Sequence, residues 1–154
     1  MIRVVDYANI GEDSRYIELA AERLGLDGAD VVVSRNDALL NRMGCGSLQI
    51  DALLYKAQVP APVYNLCLRS NPSRSIPLIL CHETVHLSQY MRGDLSVDLD
   101  AMCFTWKGKE YPPYYDYDSR PWEVEAYFAE TSLYTDCRKE LKAGRRGCLP
   151  FRRK

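Results

Sequence analysis

The sequence predicts an α+β fold: a single domain in which a small twisted mixed β-sheet packs against a central helix and a longer C-terminal helix. Three observations predict it. Short β-branched runs separated by turn residues occupy the chain up to Arg69, a helical pattern spans Ile76 to Met91, and a second begins at Pro121. At 154 residues the chain can bury about two thirds of its unfolded surface in one core.

Ile2 to Tyr7 is a β-rich run. Gly11 to Leu24 reads as a helix, because Tyr16, Leu19, Ala20 and Leu24 fall at helical spacing ahead of Gly25. Asp30 opens a strand at Val31-Val32-Val33, and Asn36 to Met43 supplies one or two helical turns that stop at Gly44-Cys45-Gly46. Two strand stretches follow, Leu48 to Lys56 and Val63 to Arg69, separated by Pro60-Ala61-Pro62. Capping residues in Asn71-Pro72-Ser73-Arg74-Ser75 precede the helix over Ile76 to Met91, with Pro77 tolerated in its first turn and Gly93 as its stop. Leu80, Thr84, Leu87 and Met91 form the stripe expected to pack on the sheet. A hairpin or meander over Leu95 to Leu99 and Met102 to Trp106 turns near Lys107-Gly108-Lys109, and a Pro/Tyr-rich loop follows. The last helix runs from Pro121 to Lys142, with Gly144 after its end. The domain therefore covers residues 1–143, and a basic tail, expected to be solvated, covers 144–154.

Composition narrows the partners. A net charge of −1 means that bulk charge points to no nucleic-acid or membrane partner, and the longest apolar run, Pro77 to Cys81, is too short to cross a bilayer. Six cysteines without a CxxC pair, behind a start (MIRVVDYANIGEDSR) lacking an apolar leader, predict free buried thiols in a reducing cytoplasm rather than three disulfides.

The only two histidines are His82 and His86, and they flank Glu83 in His82-Glu83-Thr84-Val85-His86. Four residues apart on a helix, they lie one above the other and can close on one metal ion. Glu83, one step round the turn, can reach a water beside that ion. This is HExxH, the helix of zinc hydrolases. Cys81 points about 100° away from His82 and reads as a core residue.

Catalytic zinc takes three protein ligands and keeps one position for water. Arg92 stands where a third histidine would follow in HExxHxxGxxH, so the third ligand is a carboxylate or a cysteine. The segment from Arg120 to Glu130 offers Glu123 and Glu125, about 200° apart on a helix, of which only one can face the metal. Glu130 returns to the face of Glu123, where it either orients a ligating histidine or is solvated. Trp122 reads as a large anchor for this helix.

HETVH followed by PWEVEAYFAE resembles the gluzincins. The chain looks like a minimal zincin of the small kind found in phages and mobile elements, and more distantly like the ImmA/IrrE-type peptidases. Both motifs lie in the last half of the chain; the first half matches only in its order of elements. The resemblance implies a zincin-like fold and a Zn2+ cofactor. It implies Glu123 as third ligand, because in such families that residue opens a Glu-x-x-Ala pattern, here Glu123-Val124-Glu125-Ala126. The activity implied is that of a zinc metalloendopeptidase with Glu83 as general base and then acid.

Zincins often add a tyrosine or histidine that stabilises the oxyanion. Here Tyr117 is the first candidate and Tyr115 the second, with packing against prolines as the alternative for both. The strand before the metal helix, Val63 to Arg69, is by the same resemblance a sheet edge that pairs with an extended peptide. The tyrosine-rich loop and Leu95 to Trp106 would wall the cleft and favour an apolar or aromatic side chain next to the scissile bond. The expected partner is a peptide or protein substrate, with no nucleic acid or membrane, and the expected state is a monomer. Two other readings remain: a zincin-fold regulatory protein with little or no peptidase activity, and a structural zinc site. Structural sites, however, are usually closed by four ligands rich in Cys and have no use for Glu83.

Overall fold

The computed structural model describes residues 1–44 and 49–146. β1 (Arg3–Asp6), α1 (Arg15–Arg23) and β2 (Asp30–Arg35) form a βαβ unit whose strands pair in parallel, Val4 opposite Val31. The Asp6 carboxylate accepts the N–H groups of Ala8, Ile10 and Gly11. The chain then makes a 3₁₀ turn over Gly11–Ser14 before α1, so the single helix expected from Gly11 is split in two. α2 (Asp37–Met43) follows, its first turn capped by the Asn36 side chain, which accepts the Leu39 N–H. The expected stop at Cys45-Gly46 and the strand start at Leu48 lie outside the described residues, as does the tail beyond Arg146.

β3 (Ala52–Lys56) and β4 (Val63–Leu68) complete a four-stranded sheet in the order β1-β2-β4-β3. Here the structure corrects an expectation. The strand from Val63, read as a sheet edge, lies inside the sheet: β4 pairs in parallel with β2 and antiparallel with β3. The edge is β3. The short 57–62 connection turns the chain back antiparallel, and β4 buries Tyr64, Leu66, Cys67 and Leu68, the near-continuous apolar run of an interior strand.

α3 (Ile76–Met91) crosses this layer and contacts α1, α4 and β3. Rather than one packed stripe, every residue from Ile79 to Tyr90 is buried, because neighbours cover the helix all round; Met91 is only partly buried. The helix ends in a Schellman motif, with Gly93 at φ +78°, its N–H on the Tyr90 carbonyl, and the Asp94 N–H on the Gln89 carbonyl. A second sheet follows as a three-stranded meander: β5 (Leu95–Asp98), β6 (Cys103–Trp106) and β7 (Lys109–Tyr111). Lys107 and Gly108 both have positive φ, as a two-residue hairpin turn requires, and join β6 to the third strand.

α4 (Pro121–Arg146) runs past the expected end and carries Gly144 within it. One glycine costs about 1 kcal/mol in a helix interior, too little to stop a helix of this length. Trp122, 1 % exposed, anchors its start: the indole stacks on Phe104 at 5.0 Å and meets Tyr111 edge-on at 5.1 Å. No helix among the described residues is long and apolar enough to cross a membrane.

Candidate metal centre

The centre lies where α3 meets the first turns of α4. His82 Nε2 is 3.0 Å from Glu123 Oε2 and 3.1 Å from His86 Nε2, and His86 Nε2 is 3.4 Å from the same carboxylate oxygen. All three residues are buried. Ligand atoms about 2.0–2.1 Å from a tetrahedral zinc lie about 3.3 Å from one another. The triad therefore fits zinc in both donor type and spacing. Glu125 does not compete: it faces the outer side of α4 and pairs with Arg92 at 2.9 Å.

Each histidine is fixed from behind. His82 Nδ1 meets Glu130 Oε2 at 2.7 Å, so Glu130 is an orienting carboxylate rather than a solvated one. The other Glu130 oxygen takes Arg74 Nη2 at 2.5 Å. His86 Nδ1 meets Gln89 Oε1 at 2.7 Å. The Gln89 amide nitrogen donates to the Trp122 carbonyl at 3.0 Å, which requires its oxygen to face the imidazole. Nδ1 of His86 is thus the protonated nitrogen, and Nε2 is left for the triad.

Charge is concentrated here. Burial works against a charged His82, but hydrogen bonds to Glu123 and Glu130 and the nearby Glu83 charge raise it to about 10. Burial likewise opposes ionisation of Glu123, yet the two histidines hold its carboxyl well below the usual carboxylate range. Glu83, buried beside them, is pushed up by desolvation, partly offset by His86 and His82. Its Oε2 has no hydrogen-bond partner among the described residues, while its side chain lines a cavity of about 210 Å³ shared with His82, Tyr117 and Tyr127.

Tyr117 reaches this cluster from the loop ahead of α4. Its side chain lines the cavity with His82, Glu83 and Tyr127, and burial, with the nearby Glu123 charge, raises its pKa well above that of a free phenol. Tyr115 packs edge-on against Tyr111. The loop is held by Arg120, a buried residue without a motif to announce it: the guanidinium donates to the Pro113 and Tyr115 carbonyls and lies over the rings of Tyr117, Phe104 and Trp122. Arg74 and Gln89 are the other two residues that sequence reasoning passed over. Gln89 had a signal, since it sits three residues after His86 on the same helix face. Arg74 had none, because the fold alone brings it to Glu130.

Cys81 is not part of the triad; it is a buried thiol beside the buried Cys137 of α4. Cys67, Cys81, Cys103 and Cys137 are free thiols.

Comparison of the whole chain with family models, curated proteins and solved structures finds no match. The geometry stands by itself: two histidines one helical turn apart and a glutamate from a second helix can hold a divalent metal, and with a glutamate inside the pair they are arranged as in the HExxH sites of gluzincins, consistent with zinc-dependent peptide-bond hydrolysis.

Proposed function

We propose that the protein is a zinc-dependent metalloendopeptidase, with His82, His86 and Glu123 as the ligands. The observation that carries this is the buried triad together with the unpartnered Glu83 oxygen beside it. A structural zinc site would leave that buried carboxylate without a purpose.

Zinc at such a site lowers the pKa of water toward about 7 and polarises the scissile carbonyl. Glu83 is the base that takes the proton from the attacking water. Its raised proton affinity suits it to hold that proton and deliver it to the leaving amine. The Tyr117 hydroxyl, whose residue lines the cavities beside Glu83, is the donor we assign to the developing oxyanion. Glu130 and Gln89 keep the imidazoles aimed.

An extended peptide is best accommodated along β3, the edge strand, whose residues Ala52, Leu53 and Leu54 line cavities beside Glu83. Leu54, Tyr90, Leu95 and Phe104 make an apolar wall next to His86, around a space of only about 20 Å³, and an apolar side chain near the scissile bond would pack against that wall rather than enter it. The free thiols agree with a reducing, cytoplasmic setting.

Glu83→Gln tests the reading. The variant should bind zinc as the wild type does and lose about 10²- to 10⁴-fold in kcat, the usual contribution of a general base. Wild type and variant acting alike on a broad peptide library would leave a metal-binding regulatory protein instead.

A further inference from the structure

The cavity of about 210 Å³ extends from Glu83 toward the start of β3 and ends at Arg74. Arg74 is built in rather than draped over the surface. The Asp51 carboxylate accepts the Ser73 N–H, the Ser73 hydroxyl and the Arg74 N–H, which fixes the backbone at this point. The guanidinium lies over the Tyr127 ring at 5.4 Å and gives one nitrogen, Nη2, to Glu130. Nε and Nη1 have no hydrogen-bond partner among the described residues, and the side chain is 29 % exposed. Half of a planar donor fork is therefore held rigidly with its remaining N–H groups free, in a cavity that also contains His82 and Glu83.

Such a half-used fork matches a carboxylate, which accepts two parallel N–H bonds from arginine. The negative charges already present do not fill that role. Both oxygens of Asp51 are committed to Ser73 and Arg74, and Glu130 divides its oxygens between Arg74 and His82.

We propose that Arg74 is a specificity determinant that binds a carboxylate on the C-terminal side of the scissile bond. The proposal rests on the peptidase reading. A peptide added antiparallel to β3, the more stable pairing, has its C-terminal end toward the start of that strand, where Asp51 and Arg74 lie. The carboxylate comes either from an Asp or Glu side chain in the first or second position after the bond, or from the peptide's own C-terminus. Tyr127 and the Asp51 bracket pre-order the arginine, so little freedom is lost when it binds.

Alanine-flanked peptides separate these sources: Glu or Gln at each of the two positions, each peptide with a free or an amidated C-terminus. Cleavage is followed with the zinc-loaded wild type, Arg74→Gln and Arg74→Lys. Binding of the same peptides is followed by calorimetry on zinc-loaded Glu83→Gln, which needs no turnover. The expected result is about tenfold higher kcat/KM for one carboxylate over its neutral partner, the usual value of one charge-assisted contact. That preference should vanish in Arg74→Gln, return in part in Arg74→Lys, and shrink with added salt because the site is partly exposed. A Glu-over-Gln preference assigns the side chain; an acid-over-amide preference assigns the C-terminus. If Arg74→Gln slows every peptide equally, Arg74 acts only through Glu130 and the proposal falls. It falls too if neither carboxylate is preferred in cleavage or binding. Carboxylate-dependent binding without any cleavage by wild type would instead reject hydrolysis and keep the Arg74 site.

Discussion

The two helices that meet at the metal centre hold their functional residues in opposite ways. α3 carries His82, Glu83 and His86 within a run buried without a break from Ile79 to Tyr90. α4 carries Glu123 and Glu130 on a single stripe with Trp122, Ala126, Leu133 and Cys137, while Val124 and Phe128 face outward and Tyr127 borders the stripe, its ring against His82. On α3 each buried polar group has to be matched locally: Thr84 donates to the Leu80 carbonyl, Ser88 accepts from Arg92, and Gln89 joins His86 to Trp122. Glu83 Oε2 and the Tyr90 hydroxyl are left over. On α4 the polar groups that need matching lie on the one stripe, where the Trp122 indole N–H is the atom left over among the described residues. The histidine helix is therefore specified by its surroundings on all sides, and the glutamate helix by one face and an aromatic anchor.

This contrast can be broken or sharpened by substitution. The largest effect expected is on α4 itself. Glu123→Ala should strip zinc from the protein, measured by elemental analysis, whereas Glu125→Ala on the outward face should leave zinc content as it is. Equal losses would mean that both faces of α4 serve the metal.

Next come the residues behind the histidines. Glu130→Gln and Gln89→Leu should each weaken zinc binding by about 10- to 100-fold, the usual cost of losing an orienting partner. Gln89→Leu should also lower the stability of the metal-free protein at every pH, by about 1–3 kcal/mol in denaturant unfolding, because it leaves the His86 Nδ1–H unpaired in the core, whereas Glu130→Gln should do so chiefly where His82 is protonated. Equal destabilisation by the two would erase the distinction between the helices.

A pH series gives a smaller, signed effect. His82 is raised from 6.5 to about 10 in the metal-free fold, so its protonated form adds stability below pH 6.5 that is lost as pH climbs toward 10. Bound zinc requires that proton to leave. The Tm of the metal-free protein should thus fall over this window while the increment added by zinc grows. A flat metal-free profile would mean that His82 is neutral without metal. The smallest effect is at Phe128, 91 % exposed: Phe128→Ser should change stability by no more than about 0.5 kcal/mol.

How much of this was legible in the sequence follows the same division. The histidine pair, the end of α3 at Gly93, the proline start of α4 and the fact that only one of Glu123 and Glu125 can face the metal are set by spacing along one helix, and spacing is written in the chain; that the one is Glu123 came from the resemblance. The position of β4 is not. Val63 to Leu68 reads as a strand in either setting, and only its two partners make it interior. Likewise the all-round burial of α3 depends on what α1, β3 and α4 bring to it, so its Leu80-Thr84-Leu87-Met91 stripe described one face of a helix that has no free face. Arg74 and Arg120 act through residues distant in the chain, and nothing adjacent to them signals either role.

Gln89 closes the helix that bears the histidines, turns one of them, and holds the carbonyl of the residue just before Glu123. The order of synthesis follows from that. A nascent chain that has emerged only as far as Gly93 has both imidazoles but neither the carboxylate that completes the triad nor the backbone that steadies Gln89. Capture of the ion at full strength must wait until α4 has left the ribosome and docked, which makes metal loading a late event in the life of each molecule.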